Sequence, residues 1–297
     1  MADTATNDAL LSPALMARLE QLELVSRQMF RGRMKGERRS KRKGESVEFA
    51  DFRNYVPGDD LRLIDWNLYA RLDQLFLKMF QEEEDLHFYA LIDNSDSMTF
   101  GDPSKLKVAA QVAAALGYIG LCRADRVKVQ ALGQSGLSAP AMRGRSNVWK
   151  MLDYLSNIPS GENQTLTTGI RDFVMRNSNN GVVLLITDLM DKEGYQQALR
   201  SLIGRRMDVY VLHLLSPEEL EPDVTGDLRL VDIEDGDVAE ITANSYLLEK
   251  YRKTVAGFIE SARQFCSRRS ITYMLARTDT AVDQIVTQYL MKRGVVR

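Results

Sequence analysis

From residue 86 onward, short apolar runs rich in β-branched residues alternate with longer stretches whose apolar positions recur every three or four residues. The short runs read as strands: 86–92 (LHFYALI), 127–132, 182–187 (VVLLIT), 209–215, 228–233 and 271–275. The longer stretches read as helices. Leu106, Ala109, Ala113, Leu116 and Gly120 follow at helical spacing, behind an Asp102-Pro103-Ser104 that reads as a cap with proline at the first helical position. Further helices are expected over 146–158, 165–176, 191–206, 244–268 and 280–291. VVLLIT and VYVLHLL show no polar alternation, which is the pattern of strands covered on both faces. The expected fold class is therefore α/β, a doubly wound, mostly parallel sheet with helices on both sides. Right-handed crossovers put the carboxyl ends of such strands along one rim, and ligands bind there, where strand order reverses. Function is to be sought in the residues just after each strand.

Residues 1–85 have a different texture, polar and irregular with a basic middle. Within 9–30, Leu10, Leu11, Leu15, Leu19, Leu22, Leu24 and Met29 make a partly amphipathic pattern, expected to be a helix packed on the main domain. The expected organisation is an N-terminal extension, 1–85, of helix, basic loop and extended β segment, packed on a main domain, 86–297.

Composition narrows the function classes. The chain has 297 residues, 44% hydrophobic and 27% charged, with a formal net charge of −2. These are ordinary values for a folded globular chain, and the balance argues against a wholly basic nucleic-acid binder. No apolar run approaches the roughly 18–20 residues that cross a bilayer, and the N-terminus lacks the basic-then-apolar order of a secretory signal. Cys122 and Cys266 have no CxxC partner and read as reduced thiols. The expected location is cytoplasmic. Two histidines, His87 and His213, cannot build a multi-histidine metal site.

The strand at 86–92 runs directly into Asp93-Asn94-Ser95-Asp96-Ser97-Met98. One carboxylate and two hydroxyls on a tight loop are hard oxygen donors, suited to Mg2+ (or Mn2+ or Ca2+) rather than zinc. Mg2+ takes about six oxygens, so other loops must contribute. Thr165 stands at the start of an expected helix, and Asp188 immediately follows VVLLIT. Asp-x-Ser-x-Ser, a later Thr and a post-strand Asp together resemble the metal ion-dependent adhesion site of von Willebrand factor A domains. The resemblance implies Ser95, Ser97 and Thr165 as hydroxyls near the metal, with Thr167 or Thr168 as alternatives to Thr165. It implies Asp93 and Asp188 as carboxylates that bind directly or through water. An ion held this way keeps a coordination position for a partner's Asp or Glu, so the site is a recognition device. Water activation needs a positioned base as well, and none stands out; Asp96 and Asp191 read as solvated loop acids. The chain is expected not to be an enzyme.

Residues 31–46 (RGRMKGERRSKRKGES) hold eight Lys/Arg against Glu37 and Glu45. Such a run suits phosphates or an anionic surface, but no aromatic residues interleave to stack bases, and nucleic acid is not the expected partner. The block that follows, EFADFRNYVPGDDLRLIDW, alternates Glu48, Asp59, Asp60 and Asp65 with Arg53, Arg62 and, further on, Arg71. It reads as a partner-binding surface or a structural network of paired charges, with Pro57-Gly58 making a turn. This block followed by DNSDSM closely resembles the bacterial family called domain of unknown function 58, from about residue 36 to the C-terminus. The resemblance implies a von Willebrand factor A-like fold and a partnership with MoxR-type AAA+ ATPases in protein-complex assembly, maturation or stress response. Relatives often carry Asp-Pro-x-Glu where this chain has Ser216-Pro217-Glu218-Glu219. Many relatives carry transmembrane helices before the shared block, and here no transmembrane segment is expected. Two other readings remain. One is a metal-dependent phosphohydrolase, for which the second acid of an Asp-x-Asp motif is replaced by Ser95. The other is nucleic-acid or anionic-surface binding through 31–43.

Overall fold

A computed structural model of the chain describes residues 10–24, 48–81, 86–133, 139–160, 164–233 and 236–296, with backbone alone at 48–51, 78–81, 288 and 289. The basic run 31–43 and the Glu48 side chain lie outside these described residues. The first element is α1 (Pro13–Leu19), begun by Ser12, whose hydroxyl accepts from the Leu15 N–H. The described residues 48–81 belong to a compact unit of their own, and residues 10–24 group with the unit that starts at 86. The sequence pattern groups 1–85 together; in the structure the amphipathic face of α1 takes its segment to the main unit. Leu11, Leu19 and Leu24 are buried in that unit's core.

In the smaller unit, β1 (Glu48–Asn54) pairs antiparallel with β2 (Phe76–Gln81), with a bulge between Phe49 and Asp51. Between them lies α2 (Trp66–Leu72), capped by Asp65, whose Oδ1 accepts from the N–H groups of Asn67 and Leu68.

The main unit holds a five-stranded sheet. Its strands are β3 (His87–Ile92), β4 (Arg126–Ala131), β5 (Val182–Thr187), β6 (Asp208–Leu215) and, after an intervening hairpin, β9 (Thr272–Arg277). All pairings are parallel and the order is β4-β3-β5-β6-β9. The helices are α3 (Lys105–Cys122), α4 (Val148–Ser156), α5 (Leu166–Arg176), α6 (Gln196–Gly204), α7 (Pro217–Leu220) and α8 (Ser245–Ser267). A closing segment runs from α9 (Val282–Gln284) into a π-helix at Ile285–Leu290.

Strand side chains alternate between two cores. Ala90, Ile92, Leu184, Ile186 and Leu212 pack with α3 and the closing segment on one face. Leu91, Val183, Leu185 and Val211 pack with residues of α5, α6 and α8 on the other. β5 is buried throughout, and β3 and β6 are buried after their first residue, which is why their sequences lack polar alternation. The chain leaves β3 for β4 on one side and later returns to β5 on the other, so the order reverses between β3 and β5. Their carboxyl ends carry Asp93 and Asp188.

Three expectations change. The cap of α3 is Ser104, whose hydroxyl accepts from the Lys107 N–H; Asp102 and Pro103 precede the helix. The helix expected from 191 begins at Gln196, because 191–194 form a turn in which Asp191 accepts from the N–H groups of Glu193 and Gly194. The strand expected at 228–233 is β7 (Gly226–Val231). It pairs with β8 (Val238–Ala243) in a separate two-stranded hairpin and does not join the main sheet.

Candidate functional site

The loop after β3 folds back on itself. Asp93 Oδ1 accepts from the Ser95 N–H at 3.1 Å, and the Ser95 and Ser97 hydroxyl oxygens lie 3.1 Å apart. A short 3-10 turn at Asp96–Thr99 follows, and the buried Met98 anchors it in the core. Asp93 Oδ2 accepts from the Thr187 hydroxyl at 2.6 Å, which ties this loop to the end of β5. Asp188, the next residue, is 1% exposed. Burial, and then the nearby Asp188 charge, hold the Asp93 carboxyl above the usual carboxylate range. The two carboxylates are thus close enough for the charge of one to act on the other.

Neighbouring loops brace this arrangement. The Asn94 side chain is fully buried, donates to the Pro159 carbonyl at 2.9 Å, and accepts from the Gly133 N–H at 2.6 Å. A Cβ added at Gly133 would sit 2.6 Å from Asn94 Oδ1. Gly133→Ala is therefore expected to cost about 1–3 kcal/mol, measured as a shifted midpoint in chemical denaturation.

Thr165 caps α5, its hydroxyl accepting from the Thr168 N–H and lying 3.0 Å from the Thr168 hydroxyl. The turn is joined to the Asp188 loop through Asp191, whose Oδ2 accepts from the Leu166 N–H. Of the alternatives to Thr165, Thr167 is buried and Thr168 exposed. Asp93, Ser95, Ser97 and Asp188 thus belong to one constellation, and Thr165 sits on the adjoining rim loop. Among the described residues no three His, Cys, Asp or Glu side chains cluster to hold a metal, so a cation here needs hydroxyl donors. Two hydroxyls and two mutually repelling carboxylates are a donor set that fits a hard divalent ion.

Two residues of this site were not assigned to it from the sequence, Lys105 and Glu219. Lys105, the first residue of α3, is fully buried; its Nζ lies 2.7 Å from Asp188 Oδ2 and 2.5 Å from Glu219 Oε1. Burial opposes the Lys105 charge, but the two carboxylates outweigh it and raise its pKa. Glu219 is itself fixed by a capping box: Ser216 N–H donates to its Oε2 at 2.7 Å and its own N–H donates to Ser216 Oγ. The Tyr251 hydroxyl of α8 donates to the Glu219 carbonyl at 2.8 Å. The signal for Glu219 was the spacing Ser216-x-x-Glu219; Lys105 had none beyond a lone cation heading an apolar helix. Behind Asp188, on β6, His213 is fully buried, its Nδ1 2.7 Å from the Tyr273 hydroxyl. Burial lowers its pKa to about 4, against the opposing pull of Asp188.

The charges of the smaller unit are placed otherwise. Arg53 pairs with Asp59 at 2.9 Å, and Asp59 also accepts from the Val56 N–H, closing the turn. Asp60 accepts from the Arg62 N–H at 3.1 Å, and the exposed Arg62 side chain lies 3.5 Å from it. Asp65 caps α2, and Arg71 lines a shallow groove with Phe52, Asp65 and Leu68. Asp59, Asp60 and Asp65 thus each hold a turn or a helix start.

A family model described as protein of unknown function DUF58 matches residues 51–258. The chain belongs to the DUF58 family. Its main unit is an α/β fold, a parallel five-stranded sheet with helices on both faces. The uncharacterized protein Rv1480 of Mycobacterium tuberculosis is 28% identical to this DUF58 chain over 251 residues, covering 82% of this chain and 78% of that one. Among solved structures, the conserved hypothetical protein BatB from Bacteroides thetaiotaomicron is similar at 17% identity, over 70% of this chain and 98% of that one, with a TM-score of 0.44. An aerotolerance-related membrane protein from Bacteroides fragilis is similar at 17% identity, over 70% and 99%, with a TM-score of 0.38. A von Willebrand factor type A structure from Catenulispora acidiphila is similar at 18% identity, over 60% and 43%, with a TM-score of 0.33.

The expected cytoplasmic location is withdrawn, and with it the expectation that no segment is long and apolar enough to span a bilayer. In this chain, α3 (Lys105–Cys122) is, at 18 residues and a mean hydropathy of 1.2, long and apolar enough to cross a bilayer. The small residues that make its sequence read as an ordinary helix, five alanines and two glycines, also raise its mean hydropathy. Most of that helix is buried within the main unit.

Proposed function

We propose that this chain is a non-enzymatic interaction adaptor that binds protein partners through a divalent cation, Mg2+ in the first instance. Asp93, Ser95 and Ser97 hold the ion, with Asp188 and the rim residue Thr165 completing its surroundings. When bound, the ion supplies an electrophilic centre for a partner's Asp or Glu. The chain's own residues orient the donors: Thr187 and the Ser95 N–H fix Asp93, and Asn94 fixes the loop against Gly133 and Pro159. The observation that carries this reading is the convergence of Asp93 and Asp188 beside two serine hydroxyls 3.1 Å apart, at the reversal of strand order. The proposed partner is a MoxR-type AAA+ ATPase, and the proposed role is protein-complex assembly, maturation or stress response.

The test is a pull-down of the ATPase with Mg2+ and with chelator, on wild type and Asp93→Ala. Wild type is expected to retain the ATPase only with Mg2+. The variant is expected to lose it while keeping the wild-type circular dichroism spectrum. Retention that ignores both chelator and substitution would sink the adaptor reading. Phosphoester turnover by wild type, lost in Asp93→Ala, would replace it with a metal-dependent phosphohydrolase.

A further inference from the structure

A lysine is an expensive residue to bury beside a cation site. Desolvating its ammonium is unfavourable unless carboxylates compensate, and its charge repels any cation drawn to the same carboxylates. Lys105 is nevertheless 0% exposed, with Nζ 2.7 Å from Asp188 Oδ2 and 2.5 Å from Glu219 Oε1. The other Asp188 oxygen, Oδ1, accepts from the Met190 N–H at 3.0 Å. Asp188 therefore already has a resident cation. Glu219 is held independently of it, through Ser216 on Oε2 and Tyr251 on its carbonyl. It stands as a second, fixed acceptor for the ammonium.

We infer that Lys105 sets the affinity of the site: its ammonium competes with the divalent ion for Asp188, and Glu219 draws that ammonium away. The inference rests on reading Asp93, Ser95, Ser97 and Asp188 as a cation site. Its consequence is that the ion alone binds weakly. The negative charge that Lys105 cancels must come from the partner, so ion and partner carboxylate bind together. Lys105 is then the residue that makes recognition conditional on an acidic partner.

The inference predicts variants of opposite sign. Mn2+ binding to the full chain is measured by calorimetry and by the electron paramagnetic resonance of free Mn2+. Lys105→Met is expected to bind Mn2+ roughly tenfold tighter or more, because a repelling charge is removed. If Lys105 only braced the loops, the same variant would bind more weakly, since Asp188 loses its tether; that result overturns the inference and leaves the cation site standing. Glu219→Gln keeps the Lys105–Asp188 pair and is expected to bind roughly threefold weaker or more; unchanged or tighter binding overturns the inference. Should Lys105→Met not fold, Lys105→Met/Glu219→Gln, which leaves net charge unchanged, carries the same test: tighter binding than wild type supports the inference and weaker binding overturns it. Absence of Mn2+ binding in wild type and every variant overturns the cation site itself.

Discussion

Lys105→Met is expected to destabilise the main unit by about 3–5 kcal/mol, the usual cost of removing one partner from a buried ion pair. The side chain has no solvent contact and Asp188 is 1% exposed, so screening by water offers little relief. Methionine fills most of the lysine volume, which leaves electrostatics as the main loss. Among the described residues, Asp188 would keep the Met190 N–H on its other oxygen, and Glu219 the Ser216 N–H. For a unit of this size the melting temperature is expected to fall by roughly 6–20 °C. The triple variant Lys105→Met/Asp188→Asn/Glu219→Gln removes the orphaned charges together and is expected to recover most of the loss, since glutamine also serves at the third position of a capping box. If the single variant melts within a degree or two of wild type, Lys105 is not the structural cation that its burial indicates. If the triple variant melts as low as the single one, the loss lies in packing rather than in unpaired charge.

The same cluster shows what a linear sequence can and cannot disclose. Continuous runs such as VVLLIT mark β5 as a central strand, because a strand covered on both faces has no use for polar alternation. Asp93 and Asp188 were legible for a related reason: each directly follows such a run, and parallel topology brings run ends to one rim. Lys105 was not legible because its partners lie 83 and 114 residues away in sequence. Nothing local distinguishes a buried lysine from a solvated one at a helix start. Asn94 was missed for the same reason, since its role depends on Gly133 and Pro159, which it meets only in the folded chain. The hairpin partner β8 was hidden by its own composition. Glu240 and Thr242 interrupt the apolar pattern, and its outward residues are exposed, so the segment lacks the signature of a buried strand. The charged block 48–71 looked like a network of pairs. Arg53–Asp59 and Arg62–Asp60 do pair, and Asp59, Asp60 and Asp65 also satisfy backbone N–H groups at turns and caps, a local use on top of the pairing.

Acidification is expected to weaken the main unit through His213. In the folded chain burial holds this imidazole neutral down to about pH 4, against an ordinary value of 6.5. Between those values the unfolded chain takes up a proton that the folded chain refuses, so stability is highest above pH 6.5 and falls as pH drops toward 4. The interval corresponds to about 3 kcal/mol, on the order of a quarter or more of the stability of a typical domain. Asp93 acts in the opposite direction. Its raised value lets the folded chain bind a proton more readily than the unfolded one, which adds stability as pH falls through that value. The two effects separate in a difference curve. Urea denaturation of wild type and His213→Phe at several points from pH 7 to pH 4.5 is expected to show a steeper loss in wild type. Phenylalanine suits a ring packed edge-on against Phe258 and Tyr273. It leaves the Tyr273 hydroxyl without its imidazole partner, so the variant starts from a lower stability at neutral pH. The slope, not the starting value, carries the prediction. Parallel curves for the two proteins would mean that the imidazole is protonated inside the fold, with Asp188 strong enough to hold that charge.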